Sequence, residues 1–144
     1  MVVNYNYVNT AYDTNKEKVL SVLCNNAKEH IELPNKVYIQ ISKLEPNVLG
    51  DTVLDFRLQN KIRLNSILNI KESVYVLSHE LIHLSQIHIG QLKIHKNGNY
   101  IWENRQYMNL SKLKQLSFLE YQQLPWELDV AKKQQKLLEN LLKI

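Results

Sequence analysis

The sequence predicts an α+β fold in a single domain spanning residues 1–144, with a small antiparallel sheet packed on a central helix and a C-terminal helix. Three observations lead there. Val37, Ile39 and Ile41 alternate with Tyr38, Gln40 and Ser42, the period of a half-buried strand. Val74, Leu77, Leu81 and Leu84 recur at helical spacing within a segment from about Glu72 to Ile87. Asn97-Gly98 separates two short apolar runs, Gln91–Ile94 and Tyr100–Trp102, which marks a hairpin.

The elements follow in chain order. Residues 14–31 form a first helix, with Thr14 as N-cap, Glu17 three positions later, and Val19, Val22, Leu23 and Ala27 along one side. Pro34-Asn35 breaks that pattern before the strand at Val37. Beyond a turn region at Pro46–Gly50, Val53–Leu58 and Lys61–Leu68 read as two strands joined by a tight turn at Gln59-Asn60. Asn69 followed by Glu72 signals the start of the central helix, and Gly90 its end. The chain is helical again from Ser111. Pro125 opens the last helix, with Trp126, Val130, Leu137 and Leu141 on one side.

A chain of 144 residues buries a core without disulfide or metal staples. Only three glycines and three prolines leave no room for a long flexible linker. The net charge of +4 comes from scattered lysines on helical stretches, with no compact basic stripe and no stacking-aromatic motif, so nucleic acid is not an expected partner. Cys24 stands alone among Val19, Leu20, Val22 and Leu23 and reads as a buried structural thiol. The first residues carry neither a basic region nor an apolar core of the kind a signal peptide needs, and no apolar run approaches a membrane span. The expected location is the cytoplasm.

The chemistry concentrates in His79-Glu80-Leu81-Ile82-His83. Two histidines four positions apart on a helix stack their imidazoles on one face, at a separation that one metal ion bridges. Neutral imidazole suits zinc, and a zinc site with three protein ligands keeps a fourth position open for water. Glu80 follows the first ligand directly, where a carboxylate reaches a water beside the metal and accepts its proton. The plainer reading is a surface histidine pair on an amphipathic helix.

The third ligand is less local. His88 lies five residues after His83, rotated away from the metal face, and His95 sits in the hairpin. Glu127 falls in the first turn of the helix that Pro125 opens, with Ala131 one turn later as a small residue for close packing on the histidine helix. An acidic residue in a first helical turn is also an ordinary solvated charge favoured by the helix dipole. Periodicity alone does not choose between those two readings of Glu127.

A resemblance does. His79–His83, preceded by the strand-like Lys61–Leu68, resembles the core of the gluzincin metallopeptidases, most of all their minimal phage- and prophage-encoded forms. Glu127-Leu128-Asp129-Val130-Ala131 is similar to the Glu-x-(Glu/Asp)-x-Ala pattern of that group, and Tyr121 in Tyr-Gln-Gln-Leu-Pro-Trp-Glu resembles its spacing. The resemblance covers about residues 60–140 and implies a zincin-like fold, zinc held by His79, His83 and Glu127, and Glu80 as general base. The chain departs from the shortest members in the long stretch between His83 and Glu127, which holds the Asn97-Gly98 hairpin.

A hydrogen-bond donor for the oxyanion is expected from Tyr121, with His95, Tyr107 and Arg105 as other candidates. Asp129 is expected to act behind the ligands rather than as one of them. Trp102 and Trp126 either line the cleft or pack as core. Lys61–Leu68 is expected to be an edge strand that pairs with an extended peptide, with Asn65 as an exposed polar residue near its middle. The expected function is zinc-dependent hydrolysis of a peptide or protein substrate. The competing expectation is a zinc-stabilised structural or binding protein of low activity, with a phage or virion protein as its partner and the virion as its location.

Overall fold

A computed structural model describes the backbone of residues 1–55, 58–95 and 97–142, and the side chains of these apart from residues 54, 55, 58, 59, 110, 141 and 142. Its elements are β1 (Val2–Val8), α1 (Thr14–Lys28), β2 (Lys36–Ser42), β3 (Gly50–Asp55), β4 (Leu58–Asn65), α2 (Ile70–His88), β5 (Leu92–Ile94), β6 (Asn99–Trp102), β7 (Arg105–Asn109), α3 (Leu110–Leu113), α4 (Phe118–Gln122) and α5 (Pro125–Leu142). The fold is α+β.

The main sheet has four strands in the order β1-β2-β4-β3. It is mixed, which corrects the antiparallel expectation. β1 pairs parallel with β2, and β2 parallel with β4, while β3 and β4 alone are antiparallel. β1 and β2 are joined through α1, the kind of crossover that parallel strands require. β1 itself was not anticipated, although Val3, Tyr5 and Tyr7 alternate with Asn4 and Asn6 and pack against the core.

Helices cover one face of this sheet. Leu20, Leu23, Cys24 and Ala27 of α1 and Leu77, Leu81 and Leu84 of α2 meet Val37, Ile39, Ile41, Ile62 and Leu64, and all are buried. On β2 the alternation holds at Tyr38, which is exposed between Val37 and Ile39, and ends at Ser42, which is buried. The ends of the helices obey local chemistry. Asp13 rather than Thr14 caps α1, its side chain accepting from the Lys16 amide. Asn69 and Glu72 form the reciprocal capping box expected for α2, and Gly90 takes a positive φ of 79° just beyond it.

Gln59 and Asn60 do not form the predicted turn; both belong to β4. Pairing steps from Val53↔Lys61 to Asp55↔Leu58, three residues along β4 against two along β3, so β4 carries the extra residue of a bulge. Asn60 holds a φ of 69°, a conformation asparagine tolerates in bulges as well as in turns. Phe56 and Arg57, which the sequence reading placed in the first of these strands, lie outside the described residues.

β4 is interior, between β2 and β3, so the edge expected at Lys61–Leu68 belongs to β3 instead. Asn65 is buried, not exposed. Its Nδ2 donates to the Val48 carbonyl and its Oδ1 accepts from the Ile67 amide, which satisfies the polar groups at the end of β4.

The Asn97-Gly98 hairpin joins β5 and β6, and β7 extends it into a three-stranded antiparallel sheet. This sheet packs through a second, smaller core of Leu92, Trp102, Leu124 and Trp126. α5 closes the molecule against α2. Gln134 Nε2 donates to the Tyr75 carbonyl and Ser78 Oγ, and Gln86 Nε2 to the Trp126 carbonyl and Asp129 Oδ2, so the two helices run antiparallel. Val130 and Leu137 of α5 are buried. Ala131, expected at this interface, is exposed. No helix among the described residues is long and apolar enough to cross a membrane.

Candidate metal centre

α2 sets two donors by its own geometry, because His79 and His83 are one turn apart and their Nε2 atoms lie 3.2 Å from each other. The antiparallel docking of α5 brings in the third. Glu127 Oε2 is 3.3 Å from His79 Nε2, and Oε1 is 3.0 Å from His83 Nε2. This is the one group of three such side chains, among the described residues, that could hold a metal ion.

These three side chains could hold a metal ion. Ligand atoms about 2.0–2.1 Å from a tetrahedral ion stand roughly 3.3 Å from one another. The two imidazole nitrogens, 3.2 Å apart, match that length, each faces a different oxygen of Glu127 at 3.3 or 3.0 Å, and Oε1, fully buried, has no hydrogen-bond partner. Lone pairs converging at this distance without a hydrogen bond are the donor arrangement that a cation satisfies.

Gln86 sets the tautomer of His83. The Trp126 carbonyl and the Asp129 carboxylate only accept, so the Gln86 amide must turn its nitrogen to them, at 2.9 and 2.8 Å. Its Oε1 then faces His83 Nδ1 at 2.9 Å, which places the proton on Nδ1 and leaves Nε2 as the donor. Asp129 is in turn paired with Lys133 at 3.0 Å. Asp129 thus stands behind the donors, as the sequence reading placed it.

Glu80 points into the site from the same helix. It is buried, and Thr52 Oγ1 lies 2.7 Å from its Oε2 and 3.1 Å from its carbonyl oxygen. Burial pushes its carboxyl above the usual range, against the pull of His83, the Thr52 hydrogen bond and His79. Glu127 goes the other way. Burial favours its neutral form, but the facing imidazoles of His79 and His83 outweigh that and hold it well below the usual carboxylate range. For His83 burial lowers the pKa, and the facing carboxylate of Glu127, with help from Glu80 and Gln86, raises it overall.

These groups open into a cleft of about 240 Å³ that Tyr121 also lines. Tyr121 is 38% exposed. Burial, followed by the charge of Glu127, pushes its phenol above the ordinary range, so it stays a donor. Glu80, Tyr121, His79, His83 and Glu127 are therefore assembled at one place.

The other candidates are not. His88 turns toward the segment 28–33, and His95 and Arg105 are exposed away from the cleft. Tyr107 packs edge-on against Trp126, with ring centroids 5.8 Å apart. Trp126 lines the cleft, whereas Trp102 is core behind it. Sequence reasoning missed Gln86, Thr52 and Tyr100. Gln86 had a signal, three positions after His83 on the same helix face, while Thr52 is 28 residues from Glu80 and had none. Compared with protein families, characterised proteins and solved structures, the chain has no match.

Proposed function

We propose that this protein is a zinc-dependent metallopeptidase, with His79, His83 and Glu127 as ligands and Glu80 as general base. Two imidazoles and one carboxylate are a donor set that suits catalytic zinc, and three protein ligands leave a position open. The observation that carries the reading is Glu80. A structural site has no use for a buried carboxylate that stands beside the donors, is anchored through one oxygen by Thr52 and opens into a cleft.

Zinc bound there supplies Lewis acidity, polarising a substrate carbonyl and acidifying a water. Glu80 would accept the proton of a water attacking the carbonyl carbon and pass it to the amine nitrogen as the C–N bond breaks. Thr52 keeps the carboxylate aimed. Tyr121 donates its hydroxyl proton in a hydrogen bond to the oxygen that gains charge. Gln86 keeps His83 Nε2 available as a ligand.

The test pairs metal content with hydrolysis of a peptide mixture. Glu80→Gln should keep zinc and fold while losing about a hundredfold or more in turnover. Unchanged turnover in that variant, or a folded protein that takes up no zinc, would overturn the proposal. A zinc-stabilised binding protein gives the reverse pattern: tolerance of Glu80→Gln, and partial unfolding with His83→Ala.

A further inference from the structure

The cleft is chemically lopsided. Its charged and imidazole lining, Asp51, His79, Glu80, His83 and Glu127, gathers around the donors and the edge strand β3. Beyond His83 the lining becomes Ile87, Leu92, Leu113, Tyr100 and Trp126. Ile87 is one turn past His83 on the same face of α2, and seven residues past Glu80, or about 10 Å along the axis. Leu92 and Tyr100 come from β5 and β6, the sheet inserted between the ligands.

That wall is stiff. Tyr100 stacks on Trp126 with centroids 5.4 Å apart and planes at 28°, and Trp102 and Tyr107 brace the same indole at 6.4 and 5.8 Å. Trp126 also precedes Glu127, and its carbonyl is held by Gln86 at 2.9 Å. The apolar wall and the third donor are therefore set by one piece of backbone. Ile87, Leu113 and Tyr100 are nonetheless only half-buried, which leaves apolar surface open toward the donors.

We propose that this end of the cleft is a subsite for one large apolar or aromatic side chain of the peptide, on a residue flanking the scissile bond. The specificity of the site then comes from the β5–β7 insertion and not from the donors. A charged side chain placed there loses its hydration and finds no ion-pair partner, which selects against it. A flat apolar side chain displaces water from Ile87, Leu113 and the Tyr100 ring. That the occupant belongs to a peptide being cleaved rests on the peptidase reading; the apolar subsite itself does not, and the two are tested apart.

The test is a methyl NMR titration of the whole protein, zinc-loaded and metal-free, with N-acetyl amides of phenylalanine, leucine and aspartate. The phenylalanine and leucine amides should shift the methyls of Ile87, Leu92 and Leu113 in both forms, at least about tenfold more tightly than the aspartate amide. Tyr100→Ala should erase that difference. Cleavage-site mapping on a peptide mixture should show the matching preference at one position beside the bond. Absent shifts, equal shifts with the aspartate amide, or cleavage without an apolar preference would overturn the subsite. Selective shifts without any hydrolysis would keep the subsite and overturn the peptidase reading instead.

Discussion

Thr52 Oγ1 and Glu80 Oε2 lie 2.7 Å apart, joining the edge strand β3 to the helix that carries both histidines. The hydroxyl has one proton and two oxygens of Glu80 within reach, and the shorter approach to the charged oxygen takes it. The base is thus aimed by a residue on a different element. A hydrogen bond to a charged group contributes about 1.5–3 kcal/mol. Thr52→Val should lower kcat/KM by roughly tenfold to a hundredfold with zinc content unchanged, and Thr52→Ser should restore most of it. Full activity in the valine variant would show that Glu80 needs no such anchor.

Gln86 offers a second test. Gln86→Ala removes the acceptor for His83 Nδ1 and the donors to α5 together. Zinc affinity, measured by competition with a chromophoric chelator, should fall about tenfold to a hundredfold. Unfolding stability should fall too, by about 1–3 kcal/mol for buried partners left unpaired. An unchanged zinc affinity would mean that His83 keeps its tautomer without help.

Gly50 sits where β3 packs tightly against α2. A Cβ there would stand 2.6 Å from Val76 Cγ1 and 2.9 Å from the Arg63 carbonyl oxygen. The valine can move; the β4 backbone cannot do so cheaply. Gly50→Ala should destabilise by about 1–3 kcal/mol in urea melts. Adding Val76→Ala should recover part of the loss, which a double-mutant cycle measures directly. Strict additivity would argue that the strand moves instead.

Burial pushes the Cys24 thiol up to about 12. The native thiol therefore keeps its proton where an unfolded one, near 8.5, loses it. Stability from this group is complete below about pH 8.5 and is lost progressively as pH rises toward 12. At pH 8 a thiol reagent should modify Cys24 only as fast as the protein opens, and urea should accelerate it. Rapid labelling of the folded protein would contradict the burial.

Much of the site was legible because its spacing is local. The His79–His83 pair needs only the helical repeat, and Asn69, Glu72 and Gly90 bracket that helix through contacts made within a few residues. Pro125 likewise marks where α5 begins and so puts Glu127 in a first turn. The reading failed where one residue type serves two geometries. Asn60 looked like a turn and is a bulge, and Ala131 looked like an interface residue and faces solvent. Val3, Tyr5 and Tyr7 carried a strand signal that was passed over.

By itself, then, the sequence determined the helix with two imidazoles on one face, the carboxylate beside them, the start of the last helix and the apolar alternation of β2. Tertiary structure decided that β3 and not β4 forms the sheet edge, that Thr52 anchors Glu80, and that Glu127 meets both histidines. Gln86 and Gln134 set that last meeting by bonding α2 to α5 across separations of 40 to 59 residues. A helical repeat is dictated by the backbone every 3.6 residues, so its consequences can be read in order along the chain. Which distant segments meet depends instead on packing summed over the whole core, and no short stretch of sequence carries that sum.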